Sequence, residues 1–250
     1  MSTQILSVIT DYCSVYVDDL NMSELATSDP PLFARNMWQL LKPALSKFDH
    51  PPEMQKYIFG SSSEPNLIEP SYDNTTYTTA VDYSTNFSFM LGAEYADYDV
   101  VATRLKCYDR TGGVYFVPYE CTADVVTVGT AKMLNITVVV PAGETLPAGS
   151  VFDIDLYKDG YFVNTLTPAM CDIIGLCFQY VWQDRFNTDW LSIVSKIEDK
   201  SFQEQNRANK MNSDGMRLRE MAAKLYDKMR KFEQDTFYNN TFHGGIGLHV

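Results

Sequence analysis

Apolar residues at Ile5, Val8, Ile9, Tyr12 and Tyr16 recur at three- and four-residue spacing, the stripe of an amphipathic helix with one buried face. A second stripe, Phe33, Met37, Leu40, Leu41, Ala44, Leu45 and Phe48, follows Ser28-Asp29-Pro30-Pro31, which supplies a cap and early prolines. Pro43 is expected to kink or split that second helix. Residues 59–79 are rich in Ser, Thr, Asn and Pro and read as a linker.

Beyond the linker the period changes. Short β-branched and aromatic runs at 87–91, 100–108, 114–118, 124–128 and 133–140 predict strands. In residues 151–157, Phe152, Ile154 and Leu156 alternate with Asp153 and Asp155; with Asp159-Gly160 as the turn and 161–166 as the return strand, this predicts a hairpin with one dry and one wet face. About seven such strands joined by Gly- and Pro-bearing turns fit an antiparallel β-sandwich or jelly-roll-like module.

Helical spacing then returns. Thr167-Pro168 opens a third helix with Met170, Ile173, Ile174, Cys177 and Val181 on one side, Thr188 is expected to cap a fourth, and Asn212-Ser213 a fifth. In the fifth, Leu218, Ala222, Leu225, Met229, Phe232 and Thr236 step by 4, 3, 4, 3 and 4 residues. Such a coiled-coil-like seam must pack on another helix. The expected fold is α+β: a helical bundle body from residues 1–70 and 168–240, interrupted by an inserted β-domain, residues 71–167. An extended tail, residues 241–250, completes it. If the fifth helix ends near Phe237, the following residues reach roughly 40 Å, enough to lie on another subunit. Phe242, Ile246, Leu248 and Val250 give that tail an apolar set suited to a sheet edge or groove, so it is expected to act as a clasp.

Charge narrows the partners. The chain has 32 Asp and Glu against 20 Lys and Arg, a net charge of −12, which argues against a surface for the phosphate backbone and hence against direct nucleic-acid binding. The excess acid lies in the first two-thirds of the sequence. No run is long and apolar enough to span a membrane, and the first residues lack the pattern of a signal peptide, so a soluble protein is expected. The five cysteines show no C-x-x-C or zinc spacing and are expected to be reduced and mostly buried.

Catalytic chemistry finds little support. His50, His243 and His249 are the only histidines, G-x-S-x-G and phosphate-loop patterns are absent, and no thiol or acid accompanies His243-x5-His249. No catalytic residue, metal ligand or cofactor site is assigned, and the chain is not expected to be an enzyme. Asp153, Asp155 and Asp159 are expected to be a solvated strand face rather than a calcium site. Glu220 with Lys224 and Asp227 with Lys231 have the i,i+4 order of an exposed, salt-bridged helix, or of one that meets an acidic neighbouring copy.

This plan of opening helices, a β-module near residues 77–166 and closing helices containing DWLSIVSKIEDKSFQEQNRANKMNSDGMRLREMAAKLYDKMRKFEQDT resembles the ring and adaptor proteins of the head-to-tail connector in short-tailed, crAss-like bacteriophages. The resemblance implies a structural virion protein, assembled in the host cytoplasm, that forms a cyclic homo-oligomer, twelve-fold by that likeness. Its partners would be portal and tail proteins. Leu218, Leu225, Met229, Phe232, Phe242, Ile246, Leu248 and Val250 are the interface candidates. The rival reading is a carbohydrate-binding β-sandwich with a platform of Tyr72, Tyr77, Tyr83, Tyr95 and Tyr98.

Overall fold

A computed structural model describes residues 2–16, 20–108, 116–197 and 203–242, with side chains described outside 20–21, 116, 186–197, 203–212 and 237–242. It is a mixed fold of helices and a curled antiparallel sheet. The chain divides into two compact units. One comprises Met1–Asp18, Trp38–Ile68 and Tyr161–Val250; the other comprises Asp19–Met37 and Glu69–Gly160.

In the first unit, strand β1 (Thr3–Gln4) leads into α1 (Ile5–Val8), which continues as a π-helical turn over Ile9–Cys13 and a 3-10 turn over Ser14–Tyr16. The apolar stripe was legible, but its pitch changes twice: Ile5, Val8, Ile9 and Cys13 are buried, while Tyr12 and Tyr16 are half-exposed. Helix α2 (Leu20–Ser28), in the second unit, precedes α3 (Pro30–Leu45), which begins in that unit and ends in the first. Pro43 does not split α3; it lies in the last turn, so the intrahelical hydrogen bond that its missing N–H forgoes is lost only two residues before the helix ends. A short α4 (Glu53–Phe59) follows. Strand β2 (Leu67–Ile68) is the next element of the first unit.

The long closing helices differ from the expected three. One continuous α5 (Pro168–Ile197) replaces the third and fourth, and α6 (Gln203–Phe242) begins before the proposed cap at Asn212-Ser213 and runs past Phe237. Before Asn212-Ser213, Arg207, Ala208, Lys210 and Met211 are good helix formers, and a residue with capping potential does not end such a run. The core gathers Leu41, Ala44 and Leu45 of α3, Met54 and Ile58 of α4, and Ile173, Ile174, Cys177 and Phe178 of α5, each at most 1% exposed. Helix α5 packs on both α6 and the residue 9–16 turns. At that crossing, a Cβ on Gly175 would stand 2.9 Å from the Tyr12 carbonyl oxygen and 2.9 Å from Tyr16 Cε2, so only glycine fits the approach.

The second unit is a sheet with strand order β3 (Ser71–Thr78), β9 (Val151–Lys158), β6 (Arg104–Tyr108), β7 (Phe116–Val128), β8 (Ala131–Val138), β4 (Phe87–Leu91), with β5 (Val100–Val101) also paired to β9. The thirteen-residue β7 joins the halves: its start pairs with β6 and its end with β8. The sheet curls enough that its two end strands meet through side chains, Tyr77 of β3 stacking on Phe89 of β4 at 3.8 Å between ring centroids. Phe152, Ile154 and Leu156 line the interior with Phe87, Leu134, Ile136 and Val138.

Two strand assignments are corrected. The supposed linker contains β3, whose Tyr and Thr residues pair along the whole of β9, because β-prone residues outweighed the turn formers once a partner strand was available. The supposed β9 hairpin is absent. Strand β10 (Tyr161–Phe162) pairs with β1 and β2 in a separate three-stranded sheet of the first unit, and the Asp159 amide donates to Asp99 Oδ2 at 2.8 Å. The tight hairpin is instead β7–β8, closed by Val128 opposite Ala131 with Gly129 at φ 65°.

Candidate functional site

Helix α3 starts where Asp29 caps it: the Leu32 amide donates to Asp29 Oδ1 at 3.2 Å and Pro30 occupies the first helical position. The other oxygen of this carboxylate faces the sheet. Lys106 of β6 donates to Asp29 Oδ2 at 3.1 Å and lies 3.7 Å from Asp155 Oδ2 of β9. Asp155 Oδ1 accepts from the Tyr72 hydroxyl and from Asn74 Nδ2, the latter at 2.7 Å. The same amide nitrogen also reaches Asp153 Oδ1 at 2.7 Å, and the Arg35 guanidinium lies 4.5 Å from the centroid of the Tyr72 ring.

Asp29 and Asp155 are 4% and 5% exposed, so this is a buried carboxylate pair served by one ammonium. The expectation of a solvated Asp153–Asp155 face fails at Asp155, because segment 20–37 belongs to the sheet unit and brings Asp29 onto that position. The sequence showed Asp29 as a cap and Asp155 as one of a strand's outward positions, but not that they meet. Burial, followed by a hydrogen bond and repulsion from Asp155, pushes the Asp29 carboxyl above its ordinary value. Burial acts upward on Asp155 too, yet hydrogen bonds from Tyr72, Asn74 and Asp29 and the charge of Lys106 hold it below that value. On Lys106, burial acts downward, but Asp29 and Asp155 together raise its pKa.

This arrangement is internally saturated. Each of the four carboxylate oxygens faces a donor or the ammonium, so the pair is built to hold two pieces of chain together, α3 and the sheet. Among the described residues, no group of three or more His, Cys, Asp and Glu is placed to hold a metal ion. All five cysteines are buried and outside any disulfide, and Cys121 Sγ donates to the Ala102 carbonyl at 2.9 Å; burial raises Cys171 to about 11 and Cys121 and Cys177 to about 12, which keeps those three thiols protonated.

The interface candidates separate by depth. Leu225 and Met229 are buried within the chain itself, Leu218 and Phe232 are half-buried, and Phe232 meets Phe48 edge-on at 5.9 Å. Round the helix from that seam, Met216 and Tyr226 are exposed, with Arg230 over the Tyr226 ring at 5.9 Å. Phe242 falls in the last residue of α6; its side chain, like Ile246, Leu248 and Val250, lies outside the described residues. The tyrosines proposed as a glycan platform are occupied in packing. Tyr77 stacks on Phe89, Tyr83 on Phe87 at 4.0 Å, Tyr95 and Tyr98 pack on the core, and Tyr72 is held by Asp155 and Arg35.

No family model, curated protein or solved structure matches this chain. No helix among the described residues is long and apolar enough to cross a membrane.

Proposed function

We propose that the chain is a structural virion subunit of a tailed bacteriophage, forming a ring in the head-to-tail connector and docking portal and tail proteins. The observation that carries this reading is α6. At 40 residues and 1.5 Å per residue it is about 60 Å long, far beyond the three or four turns of an ordinary globular helix. Its Leu225–Met229 seam is used up inside the subunit, while Met216, Tyr226, Arg219 and Arg230 present a mixed apolar and cationic flank. A flank of that chemistry suits a heterologous contact with an acidic neighbour, and head-to-tail contacts close into rings. The residues after Phe242 extend at most about 28 Å and serve as a clasp onto a neighbouring subunit.

Native mass measurement of the purified full chain, and of the chain recovered from assembled particles, tests the reading. A closed ring or incorporation into particles is expected. A chain that stays monomeric and never enters a particle overturns it. Reversing Arg219 and Arg230 to Glu should leave the fold intact and reduce ring yield.

A further inference from the structure

Within the sheet unit, segment 20–37 and the sheet are distant in sequence and share a closed set of polar contacts. Besides Lys106 to Asp29, Thr103 Oγ1 donates to the Thr27 carbonyl at 3.1 Å, and Arg35 covers Tyr72. Facing the carboxylate pair are Arg35 from α3, Tyr72 and Asn74 from β3, Lys106 and Tyr108 from β6, and Asp153 from β9; Tyr108 donates to Asp153 Oδ2 at 3.4 Å. One ammonium thus stands against two deeply buried carboxylates. Like charges this close cannot both ionise without penalty, and such a pair titrates as a unit in two steps.

We propose that Asp29, Asp155 and Lys106 form a proton-gated latch that fastens the start of α3 to the sheet, closed while the two carboxylates hold one proton between them. With one proton, Asp29 donates to Asp155 and a single negative charge faces Lys106. With none, two anions compete for one cation in a dry site. With two, the part-exposed Lys106 faces only neutral acids, loses its ion pairs and the latch opens.

The signs follow from the two carboxyls. Asp29, raised in the folded chain, contributes stability that is present at low pH and lost as pH rises through its folded pKa. Asp155, lowered, contributes stability that is present above its unfolded pKa and lost as pH falls through its folded one. The latch is therefore strongest between the two, a window straddling the ordinary carboxylate value. This device does not depend on ring formation.

Carbon-13 carboxyl titration of the full chain, with amide exchange of the α3 residues 33–37 over the same pH range, provides the test. Two coupled carboxyl steps are expected, one on each side of the ordinary value, with exchange slowest between them. Asp29→Asn keeps an acceptor for the Leu32 amide and an N–H for Asp155, and so imitates the protonated state. It should slow exchange on the alkaline side by about tenfold per pH unit by which Asp29 is raised, and abolish the upper step. Lys106→Met should move the upper step higher; should that variant not fold, Asp29→Asn still decides. Independent titration of both carboxyls at the ordinary value, or an Asp29→Asn exchange profile that follows the parent chain, overturns the proposal.

Discussion

Each of the two units is stabilised internally by a different kind of force. All four fully buried polar or charged residues among those described, Asp29, Thr79, Ser150 and Asp155, belong to the sheet unit; the helical unit buries only apolar side chains and thiols to that depth. The net charge divides the same way. The sheet unit has 16 acidic and 6 basic residues, a net of −10, and the helical unit 16 and 14, a net of −2. One unit is specified by apolar area, which is non-directional and roughly additive. The other depends on polar groups that cost free energy unless every partner is in place. The two should therefore fail under different insults.

The largest effect is expected where a charge is forced into the apolar unit. Leu225→Asp or Met229→Asp buries a carboxylate in place of an apolar side chain between α6 and its own body, at a cost of about 4 kcal/mol or more. Urea denaturation followed by helical circular dichroism should show early loss of helix. A midpoint equal to that of the parent chain would mean that the seam is not buried.

Next comes the converse experiment in the sheet unit, the removal of a charge. Lys106→Met leaves two buried carboxylates without their cation; breaking buried pairs costs about 3–5 kcal/mol, and the part-exposed Lys106 side chain puts this one near the lower end. The deficit should shrink as pH is lowered toward the carboxylate range, because protonation removes the uncompensated charge. A pH-independent deficit would point to lost packing of the lysine stem instead.

How much of each unit was legible follows the same division. Helical stripes announced the buried Ile5, Leu41, Ile174 and Leu225, because a helical period reports burial one element at a time. What failed there were the ends: nothing at Thr188 or Asn212 shows that neighbouring turns will carry the helix through. In the sheet unit, the run at Phe87–Leu91 predicted a strand and alternation at Phe152–Leu156 gave the inner face correctly, but pairing is non-local. Tyr161 and Phe162 look as ready to fold back on β9 as to join β1 and β2, and only the remote strands decide. The Asp29–Asp155 pair was invisible for that reason: 126 positions separate the two residues.

Two glycines sharpen the contrast at smaller magnitude. In the helical unit, Gly175 is required for space. An added methyl would meet the Tyr12 carbonyl oxygen at 2.9 Å, and a helix-turn backbone does not move aside easily. Gly175→Ala gains helix propensity worth about 1 kcal/mol, yet overpacking at a tight crossing costs about 1–3 kcal/mol. A net loss of stability in urea denaturation is expected; a net gain would show that α5 shifts freely.

The smallest effect is expected at Gly129, where the reason is reversed. A Cβ there meets nothing within 4 Å, but the backbone sits at φ 65°, a conformation that costs an L-residue about 1–2 kcal/mol. Gly129→Ala should therefore destabilise the sheet unit by about 1 kcal/mol, and Gly129→Asn by less, since Asn tolerates the left-handed region. At Gly175 the order should invert, the larger Asn being worse than Ala because volume decides there. Urea midpoints of the four variants test both rankings together. If Asn and Ala rank alike at the two sites, the distinction between a glycine kept for space and a glycine kept for its backbone fails in this protein.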